Sequence, residues 1–260
     1  MSFFIKFANT FDFRRFRENK SRLSSYCPWS MFVGDFKDGV ALLKPGALMR
    51  RYTFTCPDLG SASAESVNAA SYGFNGAVKS LGSGWAVQFE ARRALSTAYP
   101  GAAWTNVAGW LIDRRRQELF SSQSAHFVNR YYLTLTRNLK SGIHAKTSKL
   151  LYKRNEDESE GNLDRAECEK EIRQFMAETD ARVSRLAVYM TVEKLDNDQT
   201  AAYLRSSVSM RFHSVATPRR PMLLDHFITD DDMDIGSTLK LGAYYTPIVA
   251  IRDFRSSDFS

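Results

Sequence analysis

The sequence predicts an α+β fold: a mixed, largely antiparallel sheet with helices packed on one face and room for two subdomains. Three observations lead there. Apolar stretches between Met31 and Cys56 are separated by the turn signals Lys37-Asp38-Gly39 and Lys44-Pro45-Gly46, which join neighbouring strands directly. Further along, strand-like and helix-like stretches alternate, so strands and helices share one core. No segment repeats at a fixed period, which argues against a solenoid. At 260 residues with 43% hydrophobic composition, the chain is long enough to bury a substantial core.

Residues 1–25 read as an aromatic and basic arm. Phe3, Phe4, Phe7 and Phe11 are followed by Arg14, Arg15 and Arg17. Phe3, Phe7 and Phe11 recur at one-turn spacing, so a short helix would carry an aromatic face and a cationic end. These seven residues are candidates for docking a membrane surface or a partner; packing of the arm onto its own domain is the other reading.

A first α+β subdomain is expected over 26–138. The strand meander of Met31–Cys56 comes first. Ser61 or Ser63 then caps a helix of small residues that ends near Leu81, where Gly82 and Gly84 break the pattern. Trp85–Arg93 alternates as a strand. Asn106–Ser121 reads as a helix whose Val107, Trp110 and Leu111 separate from Arg114, Arg115 and Glu118. Phe127–Thr136 reads as a half-buried antiparallel strand, with Phe127, Tyr131, Leu133 and Leu135 on one parity and Val128, Arg130, Tyr132, Thr134 and Thr136 on the other.

Residues 139–162 turn polar and charged, an insertion with too little apolar surface to order itself. A second α+β part is expected over 163–260. Ile172, Phe175, Met176, Val183 and Leu186 recur at helical spacing, and the β-branched residues of Val188–Asp196 favour a strand over a continued helix. Asp196–Phe212 reads as a capped helix, Thr217–Gly236 as irregular, and Tyr244–Phe254 as a final strand.

Charge is divided unevenly: residues 1–150 hold 21 Lys and Arg against 9 Asp and Glu, residues 151–260 hold 15 against 20. The basic half favours anionic company such as nucleic acid, lipid headgroups or an acidic protein face. Cys27, Cys56 and Cys168 are too few and too scattered for a disulfide framework or zinc cluster, which fits a reducing compartment. No apolar run of about 18 residues and no secretory leader pattern stand out, so a soluble or peripheral protein is expected.

The motifs of catalysis are not assembled. A phosphate-binding loop needs two glycines followed by Lys and Ser or Thr; Gly34–Ala41 has the glycines but Val and Ala behind them, and reads as a hairpin turn. The glycines around Ser83 do not form a nucleophile elbow. His126, His144, His213 and His226 lack metal-ligand spacing, and Asp230–Asp234 lacks the pattern of a calcium loop. Arg114, Arg115 and Arg116 form a candidate interface cluster. Together with the strand tyrosines they leave open a second reading, a basic single-stranded nucleic-acid-binding module. A stand-alone hydrolase ranks last.

Taken in order, "PDLGSASAESVNAA", "LGSGWAVQFEARR", "YPGAAWTNVAGWLIDRRRQELF", "SAHFVNRYYLTLT", "AAYLRSSVSMRFHSVATP", "PMLLDHFITDDD" and "LKLGAYYTPIVAI" resemble the N-terminal region of the CagE/TrbE/VirB family, the conjugal-transfer ATPases of bacterial type IV secretion systems. The most specific pieces are the "PDL" turn, the "GSGW" strand entry, and Arg116 leading to His126-Phe127 and an aromatic strand. The resemblance implies a cytoplasmic component, peripheral to the bacterial inner membrane, whose motor domain with its ATP and Mg2+ site lies beyond residue 260; no cofactor falls to this chain. It further implies inner-membrane subunits as partners, an anionic lipid surface nearby, and self-association as a hexamer. On that reading the chain is a docking and assembly domain without catalysis of its own, and nucleic acid is the less favoured partner.

Overall fold

The structure, a computed structural model, describes residues 22–57, 60–96, 99, 101–122, 126–139, 158–209, 213–218, 223–229 and 231–249. Residues 1–21 of the aromatic and basic arm, with Phe3, Phe4, Phe7, Phe11, Arg14, Arg15 and Arg17, lie outside them, as do residues 140–157; residues 22–25, read as the end of that arm, instead belong to a short helix whose Leu23 and Ser24 are buried.

Six helices and nine strands are present among the described residues, in the order α1 (Arg22–Tyr26), β1 (Trp29–Val33), β2 (Val40–Leu43), β3 (Ala47–Thr55), α2 (Ala64–Lys79), β4 (Trp85–Ser96), α3 (Val107–Ser122), β5 (His126–Asn138), α4 (Glu158–Leu186), β6 (Thr191–Lys194), α5 (Asn197–Val208), α6 (Leu224–Ile228), β7 (Met233–Ile235), β8 (Leu239–Leu241) and β9 (Tyr244–Tyr245). The fold is α+β. Every pairing is antiparallel. The main sheet runs β1-β2-β3-β5-β4, and β6 extends the β2 side of β3 where β2 ends, pairing with Tyr52–Thr55. Strands β7, β8 and β9 form a separate small sheet.

The turn signals hold. Gly39 closes the β1–β2 connection at φ +61, and a Cβ there would run into the Leu195 carbonyl, so only glycine fits. Ser63 caps α2 by accepting from the Ser66 N–H. Asp196 caps α5 in a reciprocal box with Gln199.

The expectation of helices on one face is corrected. Helices α2 and α4 cover one face, where Val40, Leu42, Leu48, Leu133 and Leu135 meet Phe175 and Leu186. The other face packs on α1, α5 and α6, where Ala41 and Met49 meet Leu23, Leu204 and Ile228. The cause lies in the strands: Val40-Ala41-Leu42-Leu43 and Leu48-Met49 are apolar on both parities, so both sides demand cover. A bulge between Trp29 and Met31 in β1 turns Trp29 toward one cluster and Met31 toward the other.

Three further readings change. Helix α4 starts at Glu158, inside the segment read as an insertion. The stretch read as irregular contains α6, whose buried Asp225 lies 2.9 Å from the Lys44 ammonium. The final strand shrinks to Tyr244–Tyr245, because Pro247 has no N–H to extend the ladder; residues 250–254 lie outside the described residues.

Side chains on α4 hold it to the sheet. Arg137 bridges Glu171 at 3.0 Å and Glu178 at 2.7 Å, and Trp85 stacks on Phe175 with centroids 5.7 Å apart. Arg50, fully buried, donates to Thr179 Oγ1 at 2.9 Å and to Asp180 at 2.7 Å.

Candidate docking surface

Strands β4 and β5 outrun the sheet. β3 pairs with β5 only as far as Phe54–Tyr131, whereas β4 and β5 continue through five more pairs, Arg92–Arg130 to Ser96–His126. At about 3.4 Å per residue this is a two-stranded ribbon roughly 17 Å long. Helix α3 sits in the connection at its tip. Ribbon and helix together form an arm that projects from the sheet.

The arm is fixed at its root. The Arg92 guanidinium is bound by Glu90, Ser206 and Ser207, and lies 3.9 Å from the Tyr203 ring centroid. Arg51 reaches the same ring from 3.8 Å, and the Tyr203 hydroxyl donates to Glu90. Cation–π contacts of this kind contribute about 0.5–2 kcal/mol each, more where water is excluded. Burial, the largest influence on Arg51, lowers its affinity for a proton, while the Glu90 charge acts the other way. Tyr132 packs against Tyr203 with centroids 4.5 Å apart.

The tip is fixed to the ribbon in turn. Tyr99 Oη donates to Asp113 at 2.6 Å, and that hydrogen bond holds the phenol above its ordinary pKa. His126 stacks on Phe120 and its Nε2 donates to the Phe120 carbonyl at 2.9 Å. Trp104 lies against Gly109, where a Cβ would come within 2.9 Å of the indole.

The remaining surface of α3 meets no cover among the described residues: no residue of the helix is buried. Val107, Trp110, Leu111, Ile112 and Leu119 are 47–72% exposed, and Phe127 and Val128 extend the apolar surface onto the ribbon. Of the predicted cluster, Arg114 and Arg115 stand exposed beside Glu118, and Arg114 lies 5.3 Å over Trp110; Arg116 is also exposed and lies near Tyr99.

Strand β5 therefore departs from a uniform half-buried pattern. Leu133, Thr134 and Leu135 are core, while residues 127–130, beyond the last pair with β3, are exposed on both parities, and Tyr131 at that last pair is still partly exposed. The tyrosines that could have stacked bases are engaged: Tyr131 lies 5.6 Å from Phe54 and Tyr132 against Tyr203.

Among the described residues no helix is long and apolar enough to cross a membrane. Cys27, Cys56 and Cys168 form no disulfide, and burial pushes Cys27 up to about 11.

Comparison with known proteins places this region in a family. Residues 39–143, which include all of β4, α3 and β5, match the type IV secretion system ATPase VirB4/TrbE, N-terminal domain. Conjugal transfer protein TrbE of Rhizobium radiobacter is 26% identical over 251 residues, covering 92% of this chain and 30% of that protein. A shorter probable conjugal transfer protein TrbE of Sinorhizobium fredii is 32% identical over 126 residues, covering 47% of this chain and 83% of that protein. The chain thus spans about a third of the length of the longer relative. With the family's N-terminal domain matched and most of the shorter relative covered, the chain belongs to the VirB4/TrbE family of type IV secretion system ATPases.

Proposed function

We propose that this chain is the assembly and docking domain of a conjugal-transfer ATPase, joining the motor to inner-membrane subunits and to neighbouring protomers at the cytoplasmic side of the bacterial inner membrane. Catalysis belongs to the motor of the full-length protein, which binds ATP and Mg2+; this domain contributes position. The observation that carries the reading is the arm: a braced helix with five large apolar side chains and two arginines facing outward is the composition of a protein interface centre. Family membership supplies the context of a secretion machine. The aromatic and basic residues ahead of α1 are assigned to the anionic headgroup surface or to the membrane subunits.

The test is incorporation. Leu111→Glu with Ile112→Glu in the full-length protein places two carboxylates on the exposed face without touching the core. The expected result is loss of co-purification with the solubilised secretion apparatus while far-UV circular dichroism is unchanged. Incorporation at the level of the unmodified protein would remove the arm from the reading. Deleting residues 1–22 should separately weaken flotation with anionic vesicles.

A further inference from the structure

We propose that the arm docks head to tail on the small β7–β9 sheet of a second copy of this chain. The inference rests on the neighbouring-protomer element of the reading above and identifies the two surfaces that meet.

The acceptor is a second exposed apolar surface among the described residues. Met233 and Leu241 pack toward the core, but Ile235, Tyr244, Tyr245, Ile248 and Val249 are 59–90% exposed. Asp231, Asp232 and Asp234 border them against the single Lys240, so residues 231–249 are net acidic. The donor has the opposite sign. Residues 91–131 hold Arg92, Arg93, Arg114, Arg115, Arg116 and Arg130 against Asp113 and Glu118. Apolar area of both surfaces would leave water on contact, and the charges at their borders are complementary.

One copy cannot satisfy itself. The small sheet is tied through α1 and α6 to the β1 edge of the main sheet, while the arm leaves from β4 at the opposite edge. Two different surfaces meeting between identical chains make a heterologous contact, which propagates until a ring closes.

The layout of α3 favours a protein over a lipid surface. At about 100° per residue, Arg114 falls between Trp110 and Val107, and Arg115 between Leu111 and Leu119. A helix lying in headgroups keeps its charges on the face away from the apolar one. Interspersed arginine and aromatic residues are what protein interfaces concentrate.

Charge reversal tests this with the 260-residue chain alone, so the result does not depend on whether the secretion apparatus recruits it. In sedimentation velocity at up to on the order of 100 µM, a range that reads weak contacts, the unmodified chain should associate, and less so at high salt. R114E/R115E and D232R/D234R should each sediment as monomers, and their equimolar mixture should associate again, because each reversed surface then finds a reversed partner. All four positions are exposed, and circular dichroism checks each fold; should a reversal unfold the chain, the neutral pair R114Q/R115Q and D232N/D234N must still weaken association. An unmodified chain that stays monomeric, single variants that associate normally, or a mixture of folded variants that stays monomeric would overturn the proposal.

Discussion

Arg50 and Arg51 are adjacent on β3, both buried, and point to opposite faces of the sheet. Their chemistry differs accordingly. Arg50 donates to Thr179, to Asp180 and to the carbonyls of Asp38 and Met176, so its charge is shared among acceptors. Arg51 lies on the Tyr203 ring, and among the described residues its Nε and Nη1 meet no acceptor. Arg50→Met should therefore cost about 2–3 kcal/mol, the loss of charge-assisted hydrogen bonds in a dry site. Arg51→Met should change stability by less than about 1 kcal/mol, since relief of a desolvated guanidinium offsets the lost ring contact. Urea unfolding of both variants checks the order; equal losses would contradict it. Glu178 gives a pH prediction. Burial works to raise its pKa, but hydrogen bonds from Gln174 and Arg137 and the charges of Arg137 and Arg182 prevail and hold it below 4.5. A carboxylate with a depressed folded-state pKa adds stability above its unfolded value, and that contribution is lost as pH falls through the folded one. The unfolding midpoint should fall more steeply below pH 4.5 in the unmodified protein than in Glu178→Gln, and identical acid limbs would exclude the Arg137 bridge as a source of stability.

At the scale of elements, the arm is stable at its root and idle at its surface. Trp110→Ala and Leu111→Ala remove exposed side chains and should each cost less than about 0.5 kcal/mol, whereas Phe175→Ala, fully buried between α4 and the sheet, should cost about 3–5 kcal/mol. Arg92→Ala releases the ribbon from α5. Hydrogen exchange at residues 92–96 and 126–130 should accelerate while global stability barely moves, and unchanged exchange would mean that the ribbon stands without that anchor. Local signals made much of this legible in the sequence. Turn residues placed β1–β3, the cap at Ser61 or Ser63 and the capped helix read from Asp196 marked two helix starts, and alternation found β4 and β5. Periodicity could not show what covers an apolar face. Reading Val107, Trp110 and Leu111 as a face apart from Arg114, Arg115 and Glu118 was wrong, because at about 100° per residue these six share one side of α3; nor could periodicity reveal that this side stays in water, or that Phe127 and Val128 project past the last β3–β5 pair. The second layer of helices was missed although the doubly apolar β2 carried the signal, and β8 was missed because three residues are too short for alternation to register.

At the scale of the molecule, the asymmetry of charge between the two halves acquires a geometry. The basic half contributes the arm at one edge of the sheet, and the acidic half contributes α4, which closes the core, and the small sheet at the other edge. Residues far apart in sequence meet in one body: β6 pairs with β3, and Tyr203 of α5 braces β4. The core is complete without the outer surface of α3, so that surface is available for recognition at little cost to stability. The central claim, that the arm is where this domain is held in the secretion machine, is tested most directly by hydrogen exchange of the full-length protein, free and assembled. The account predicts protection on assembly concentrated in residues 101–122 and 126–131, with β1–β3 unchanged. Protection that spares those residues, or none anywhere on the arm, would contradict it.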